Sequence, residues 1–292
     1  MRVLIAGAGL MGAQIGCEYA LGGHEVTLLA RGTQAVEERA RDALALVEAR
    51  GLAPAGAVEA ARARLRVAGG LEEAGGGFDL AVESLPEELE LKAVLLRAVA
   101  AGSPGAVLAS NTSSLPITTL AEAVGAGERV VGTHYLNPPL LMPPVEVIAG
   151  ARTDPAVVAR MVETLERLGK LPVVVRRDVP GFVWNRLQLA LLRECAWLVD
   201  NGVAGPDDVD LVVREGLARR WRRVGPFAAI GLGGLETWSR SAANLVPELA
   251  NGRELGDLAR FAPRNGDELA RLAAERDEAL AEELRRERQP PP

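Results

Sequence analysis

Residues 3–12 read Val-Leu-Ile-Ala-Gly-Ala-Gly-Leu-Met-Gly. The first four form a short apolar run of strand composition, and a helical pattern follows to about Leu21, where Gly22 and Gly23 stop it. Glu25 to Leu29 is then a second strand. Strand, glycine turn, helix and strand in such a short span make one βαβ unit, expected to be parallel and right-handed. A Gly-x-Gly-x-x-Gly pattern alone says little, but between a strand and its helix it has a mechanism. Gly7 permits the tight turn and Gly9 lets the backbone approach a pyrophosphate. Gly12 lets helix and strand pack closely, and Leu10 and Met11 open the helix whose N-terminus faces the anion. The ligand this implies is a dinucleotide.

In NAD-binding units the second strand closes with an acid that bonds the ribose 2′-hydroxyl. Here it closes Leu28-Leu29-Ala30-Arg31, with no acid at the tip. A small residue followed by arginine suits a 2′-phosphate, which favours NADP over NAD. The alternative is that Arg31 is an ordinary solvated loop residue.

Further strand candidates lie at 65–68, 79–83, 106–110, 129–134, 144–148 and 172–176. Helical patterns fall between them, at about 87–101, 116–124 and 155–168, and a longer one from Gln34 to Arg64 is interrupted at Gly51 and Pro54. The helix from Pro155 has Asp154 as N-cap and Gly169 beyond its end, the expected start and stop signals. After Val179-Pro180-Gly181 strand-like runs cease and helical periodicity takes over. The expected architecture is α/β: a Rossmann-type, mostly parallel sheet domain over residues 1–179, followed by an all-α domain over 180–292. The tail RRERQPPP reads as a frayed helix end followed by disorder.

At 292 residues the chain is comfortable as two domains, and hydrophobic and charged fractions of 48% and 25% are those of an ordinary globule. A net charge of -6 gives no reason to expect nucleic acid or an anionic membrane as partner. Glycines and charges interrupt every apolar run, and the N-terminus runs straight into the glycine turn instead of forming a signal peptide, so a cytoplasmic protein is expected. Cys17 and Cys195 read as small buried hydrophobes in a reducing compartment. No metal site is expected.

The chain has two histidines. His24 lies at a helix-to-strand turn and reads as a surface residue. His134 ends the strand candidate 129–134, on the sheet edge beyond which open α/β folds bind ligands. Glu146 lies in the next strand candidate among Val145, Val147 and Ile148, where an ionised carboxylate needs a partner. His134 is the candidate, and the intervening Asn137-Pro138-Pro139 to Pro143-Pro144 connector is stiffened by prolines. Such a pair makes a general base, because the carboxylate fixes the imidazole tautomer and raises its basicity. A purely structural His–Glu bond in the core is the alternative. Ser110 to Leu115 emerges at the same edge with more hydroxyls than a cap for the helix near Pro116 requires, as though polar groups were reserved for a ligand.

Taken together, five blocks make the chain resemble the 3-hydroxyacyl-CoA dehydrogenase family, including its lambda-crystallin and gulonate 3-dehydrogenase branch. They are the glycine turn, Glu83 to Lys92, Ser110 to Leu115, His134 to Glu146, and Pro180-Gly181-Phe182-Val183-Trp184-Asn185-Arg186-Leu187. The likeness runs to about residue 250. It implies an oxidoreductase in which His134 takes the proton of a substrate 3-hydroxyl while hydride passes to the nicotinamide. Glu146 would orient His134, Ser113 would bond the reacting hydroxyl, and Asn185 would reach the substrate carbonyl, with Asn137 helping to hold the site. Glu87, Lys92 and Asn111 match positions near the cofactor. The substrate implied is a 3-hydroxyacyl-CoA or a 3-hydroxy acid, and the assembly a homodimer through the helical domain, where Phe227 to Leu232 fits an interface or a core equally. Ala30 departs from the family's NAD pattern. Asn137-Pro138-Pro139 is closer to the gulonate and carnitine dehydrogenase branches, and the helical stretch after Arg31 is short and mixes Arg39, Arg41, Arg62, Arg64 and Arg66 with acids. A non-catalytic dinucleotide-binding protein of the same fold, with a crystallin-like or sensing role, is the alternative function.

Overall fold

The computed structural model describes residues 1–263 and 265–288, so the last four residues of the tail lie outside the described residues. Eight strands form one sheet: β1 Arg2–Ala6, β2 Glu25–Leu29, β3 Leu65–Ala68, β4 Leu80–Glu83, β5 Val107–Ser110, β6 Val130–Tyr135, β7 Pro144–Ala149 and β8 Leu171–Val175. Their order is β3-β2-β1-β4-β5-β6-β7-β8. Every neighbouring pair is parallel except β6 and β7, which run antiparallel. Strand order reverses between β1 and β4, so the crevice beyond their carboxyl ends is the place where a doubly wound sheet takes its ligand.

The strands are apolar on both faces because helices cover both. Along β1, Val3 and Ile5 join one buried cluster and Leu4 and Ala6 the other, the alternation that a pleated strand imposes. On the first face lie α1 Leu10–Leu21, α2 Thr33–Ala49 and α3 Ala57–Arg64. On the second lie the short α4 Leu71–Ala74, α5 Leu89–Gly102 and α6 Ile117–Val124. α7 Pro155–Arg167 returns to the first face through Met161 and Leu165. Asp154 caps it by accepting from the Ala156 N–H at 2.8 Å, a contact worth about 1 kcal/mol.

The chain divides into two compact units, one of Met1–Trp184 with the stretch from Ala270 onward, the other of Asn185–Leu269. The second is helical, with α8 Trp184–Asp200, α9 Pro206–Leu211, a π-helical turn at Val212–Ala218, α10 Arg219–Trp221, α11 Pro226–Gly233 and α12 Leu235–Leu245. The final helix, α13 Gly266–Arg288, differs from the sequence expectation that 180–292 is one domain, because most of it belongs with the first unit. α2 presents Val36, Ala40, Ala43, Leu44 and Val47 at helical spacing, and Ala281 and Leu284 of α13 are buried in the same cluster. Glu278 forms an ion pair with Arg50 beside it. Among the described residues no helix is long and apolar enough to cross a membrane. Both cysteines are free, Cys17 buried and Cys195 only partly so.

Candidate active site

The glycines of the turn do different work. Gly7 has φ 93°, and a Cβ there would come within 2.6 Å of the Ser84 carbonyl oxygen. A Cβ on Gly12 would overlap the Gly7 carbonyl oxygen, whereas one on Gly9 would meet nothing within 4 Å. Gly7 and Gly12 thus serve packing, and Gly9 faces open space. That space belongs to a groove of about 600 Å³ lined by Gly7, Gly9, Ala30, Arg31, Arg39, Gly69 and Leu71 among others. Its place at the strand-order reversal, its size and the uncovered backbone at Gly9 fit a dinucleotide. Of the residues expected at the cofactor, Gly7, Gly9, Ala30 and Arg31 line it. Leu10, Met11, Gly12, Glu87, Lys92 and Asn111 do not. Arg39 from α2 is a second guanidinium on the groove, and among the described residues no carboxylate lines it.

His134 and Glu146 stand directly opposite each other in the antiparallel β6–β7 register. His134 Nδ1 lies 2.7 Å from Glu146 Oε2 and both side chains are buried. The other carboxylate oxygen, Oε1, accepts from the N–H groups of Val183 at 2.8 Å and Trp184 at 2.9 Å. Burial pushes the Glu146 carboxyl up, but the His134 bond, the two backbone N–H bonds and the His134 charge outweigh it and hold the group below its ordinary value. An ionised carboxylate only accepts, so Nδ1 carries a proton, and in the neutral form of the ring Nε2 is the acceptor. The bond to Glu146 fixes which tautomer the neutral imidazole adopts.

The connector between the two strands is tied down from behind. Lys170, buried, donates to the carbonyls of Pro139 at 2.6 Å and Met142 at 3.1 Å and pairs with Glu18 of α1 at 2.7 Å. Asn111 links neighbouring strand ends, accepting from the Tyr135 N–H at 2.9 Å and donating to Ser84 Oγ at 3.2 Å. Asn137 is exposed between buried neighbours, and Asn185 opens the second unit directly after Trp184 in the chain.

The hydroxyl-rich segment is organised by one carboxylate and caps no helix, for α6 has no side-chain cap. Glu87 Oε1 accepts from Thr112 Oγ1 at 2.5 Å, from the N–H groups of Ser113 and Ser114 at 2.9 Å each, and from Ser114 Oγ at 3.0 Å. Ser113 stays exposed, with its Oγ 3.4 Å from the same oxygen. Lys92 is turned inward, 3.1 Å from Glu87 Oε2 and 2.8 Å from Glu83 Oε1. Burial works against ionisation of Glu87, but the Thr112 hydroxyl, the Lys92 charge and bond, and the Ser113 N–H prevail and hold its carboxyl at about 2.

The NAD binding domain of 3-hydroxyacyl-CoA dehydrogenase matches residues 2–179, and the C-terminal domain of the same enzymes matches residues 181–262. The chain belongs to the 3-hydroxyacyl-CoA dehydrogenase family. This family member is 34% identical over 299 residues to 5-formyl-3-hydroxy-2-methylpyridine 4-carboxylate 5-dehydrogenase of Mesorhizobium japonicum, covering 98% of the chain and 95% of the relative. It is 38% identical over 307 residues to L-carnitine dehydrogenase of Streptomyces coelicolor, covering 97% and 94%. A crystal structure of the 5-formyl-3-hydroxy-2-methylpyridine 4-carboxylic acid 5-dehydrogenase, described as an NAD+ dependent dismutase, superposes with a TM-score of 0.87 at 32% identity, covering 96% of each chain.

Two parts of the site in this family member escaped the sequence reading. Glu83, fully buried at the end of β4, binds Lys92 and accepts from Ser110 Oγ at 2.6 Å, forming the floor on which Glu87 rests. A signal existed: an acid closing the apolar run Leu80-Ala81-Val82 demands a cation, and Lys92 and Lys170 are the chain's lysines. The N–H groups of Val183 and Trp184 had no such signal, because backbone donors are common to every sequence.

Proposed function

We propose that this protein is a nicotinamide-dependent dehydrogenase that oxidises the 3-hydroxy group of a 3-hydroxy acid or its CoA thioester, or forms that group in reverse. The observation that carries this reading is the His134–Glu146 pair, with Nε2 left as an acceptor, on the sheet edge where the glycine-turn groove opens. In it, His134 Nε2 takes the hydroxyl proton, and Glu146 stabilises the imidazolium that results. Ser113 holds the reacting hydroxyl, Asn185 and Asn137 hold the rest of the substrate, and Glu87, anchored on Lys92, fixes the backbone that presents Ser113. Asn111 keeps the ends of β4, β5 and β6 in register around them. The nicotinamide, when bound, supplies the acceptor for the hydride leaving the carbinol carbon.

For the cofactor, Arg31 and Arg39 on a groove with no carboxylate among its lining residues favour NADP, although the matched domain is described as NAD binding. For the assembly, Phe227, Leu232 and Leu235 are 87%, 78% and 71% exposed in the second unit, and a second copy of the chain is the partner we assign to them. Steady-state assays with NAD and NADP over free 3-hydroxy acids and 3-hydroxyacyl-CoAs test the reading. Turnover that disappears in His134→Gln while cofactor binding persists supports it. Absence of turnover across the panel, or an undiminished His134→Gln variant, overturns it.

A further inference from the structure

The segment that delivers two N–H groups to Glu146 is unusual in its backbone. Phe182 has φ 49°, the one non-glycine residue with positive φ among the described residues, and follows Gly181 at φ 76°. Its N–H bonds the Val179 carbonyl at 3.0 Å, closing a tight turn, and the next two N–H groups then point at Glu146 Oε1. In the left-handed region a β-carbon crowds the following carbonyl, a cost that glycine avoids. If the turn alone mattered, glycine at 182 would make it freely. The ring therefore needs its own explanation.

That ring is 1% exposed and is packed in the cluster that holds Ile117, Ile148 and Val175. It also lies against the imidazole of His134, with ring centroids 5.7 Å apart and planes inclined by 57°. His134 is thus gripped twice from the same short segment: through Glu146, whose Oε1 the backbone of 183–184 holds, and directly by the Phe182 ring. We propose that Phe182 is a positioning residue for His134, its ring fixing the imidazole plane and excluding water from the Nδ1–H···Oε2 bond while its left-handed backbone aims the Val183 and Trp184 N–H groups at Glu146. A ring that only filled the core would leave the imidazole indifferent to its removal. The proposal rests on the dehydrogenase reading for its kinetic consequence but not for its structural one.

The test uses the fact that the chain has only two histidines. Proton NMR of the full-length protein should show a far-downfield Nδ1–H signal, slow to exchange with water and assigned by its loss in His134→Gln. Phe182→Gly keeps the turn without strain and deletes the ring, so the signal should vanish into exchange. Its kcat should fall by about tenfold or more while the KM for the cofactor stays unchanged. Phe182→Leu, which fills the core without a flat ring, serves where the glycine variant does not fold; faster Nδ1–H exchange and a kcat lowered about threefold are expected. A folded Phe182→Gly or Phe182→Leu protein with wild-type exchange and wild-type kcat overturns the proposal. If the wild-type protein turns over no substrate, the dehydrogenase reading fails, and the exchange of the Nδ1–H signal still decides the role of Phe182.

Discussion

Glu146 holds His134 through Oε2 and the start of α8 through Oε1, so one buried carboxylate joins the imidazole to the chain leaving the sheet. In Glu146→Gln, an amide can satisfy one of these partners as acceptor but offers its NH2 to the other. Turnover should fall roughly 100-fold, the lower end of what a general base supplies, with cofactor affinity little changed. Because the folded carboxyl is held below its ordinary value, the pair's contribution is complete above the ordinary carboxylate range and is lost only as pH falls through the lowered value. A kcat for Glu146→Gln within a factor of two of wild type would remove Glu146 from the reaction.

Gly9 and Gly12 should respond differently to the same substitution. Gly12→Ala forces a Cβ onto the Gly7 carbonyl and should cost about 1–3 kcal/mol in urea unfolding. Gly9→Ala meets open space, so its unfolding midpoint should stay in place while cofactor affinity drops about tenfold. Equal losses of stability in both variants would contradict this division.

Arg31→Asp should raise the KM for NADP about tenfold and spare NAD, with Arg39→Ala giving a smaller change in the same direction. The opposite preference would place the ribose edge of the groove elsewhere.

Glu87 gives a pH signature. Its carboxyl is held at about 2 against an ordinary 4.5, so its contribution to stability is complete above 4.5 and drains away as pH falls toward 2. Thermal melts of Glu87→Gln should fall less steeply than wild type across that window, with a lower melting temperature at neutral pH. Parallel curves would mean that the loop at 112–114 does not depend on the charge.

Much of this was legible in residue order. The glycine turn declared the first βαβ unit, and alternation with Asp154, Pro155 and Gly169 as punctuation located β3 to β8 and α5 to α7 within a residue or two, whereas the short α4 carried no signal. The pairing of His134 with Glu146 could be inferred because an acid among valines needs a partner and a hairpin brings strand ends together. The Glu87 cradle could not, since it joins a loop after β4 to a loop after β5 through hydroxyls that also suit a helix cap. Nor could the destination of α13: an amphipathic face announces that it must be covered and not by what.

That destination bears on how the protein is made. Val36, Ala40 and Leu44 leave the ribosome long before Ala281 and Leu284, which seal them. Until then the nascent first unit carries a bare apolar stripe on α2, and a chain stopped short of residue 280 keeps it permanently. Premature termination there should yield a sticky, chaperone-dependent product even though every residue around His134 is present.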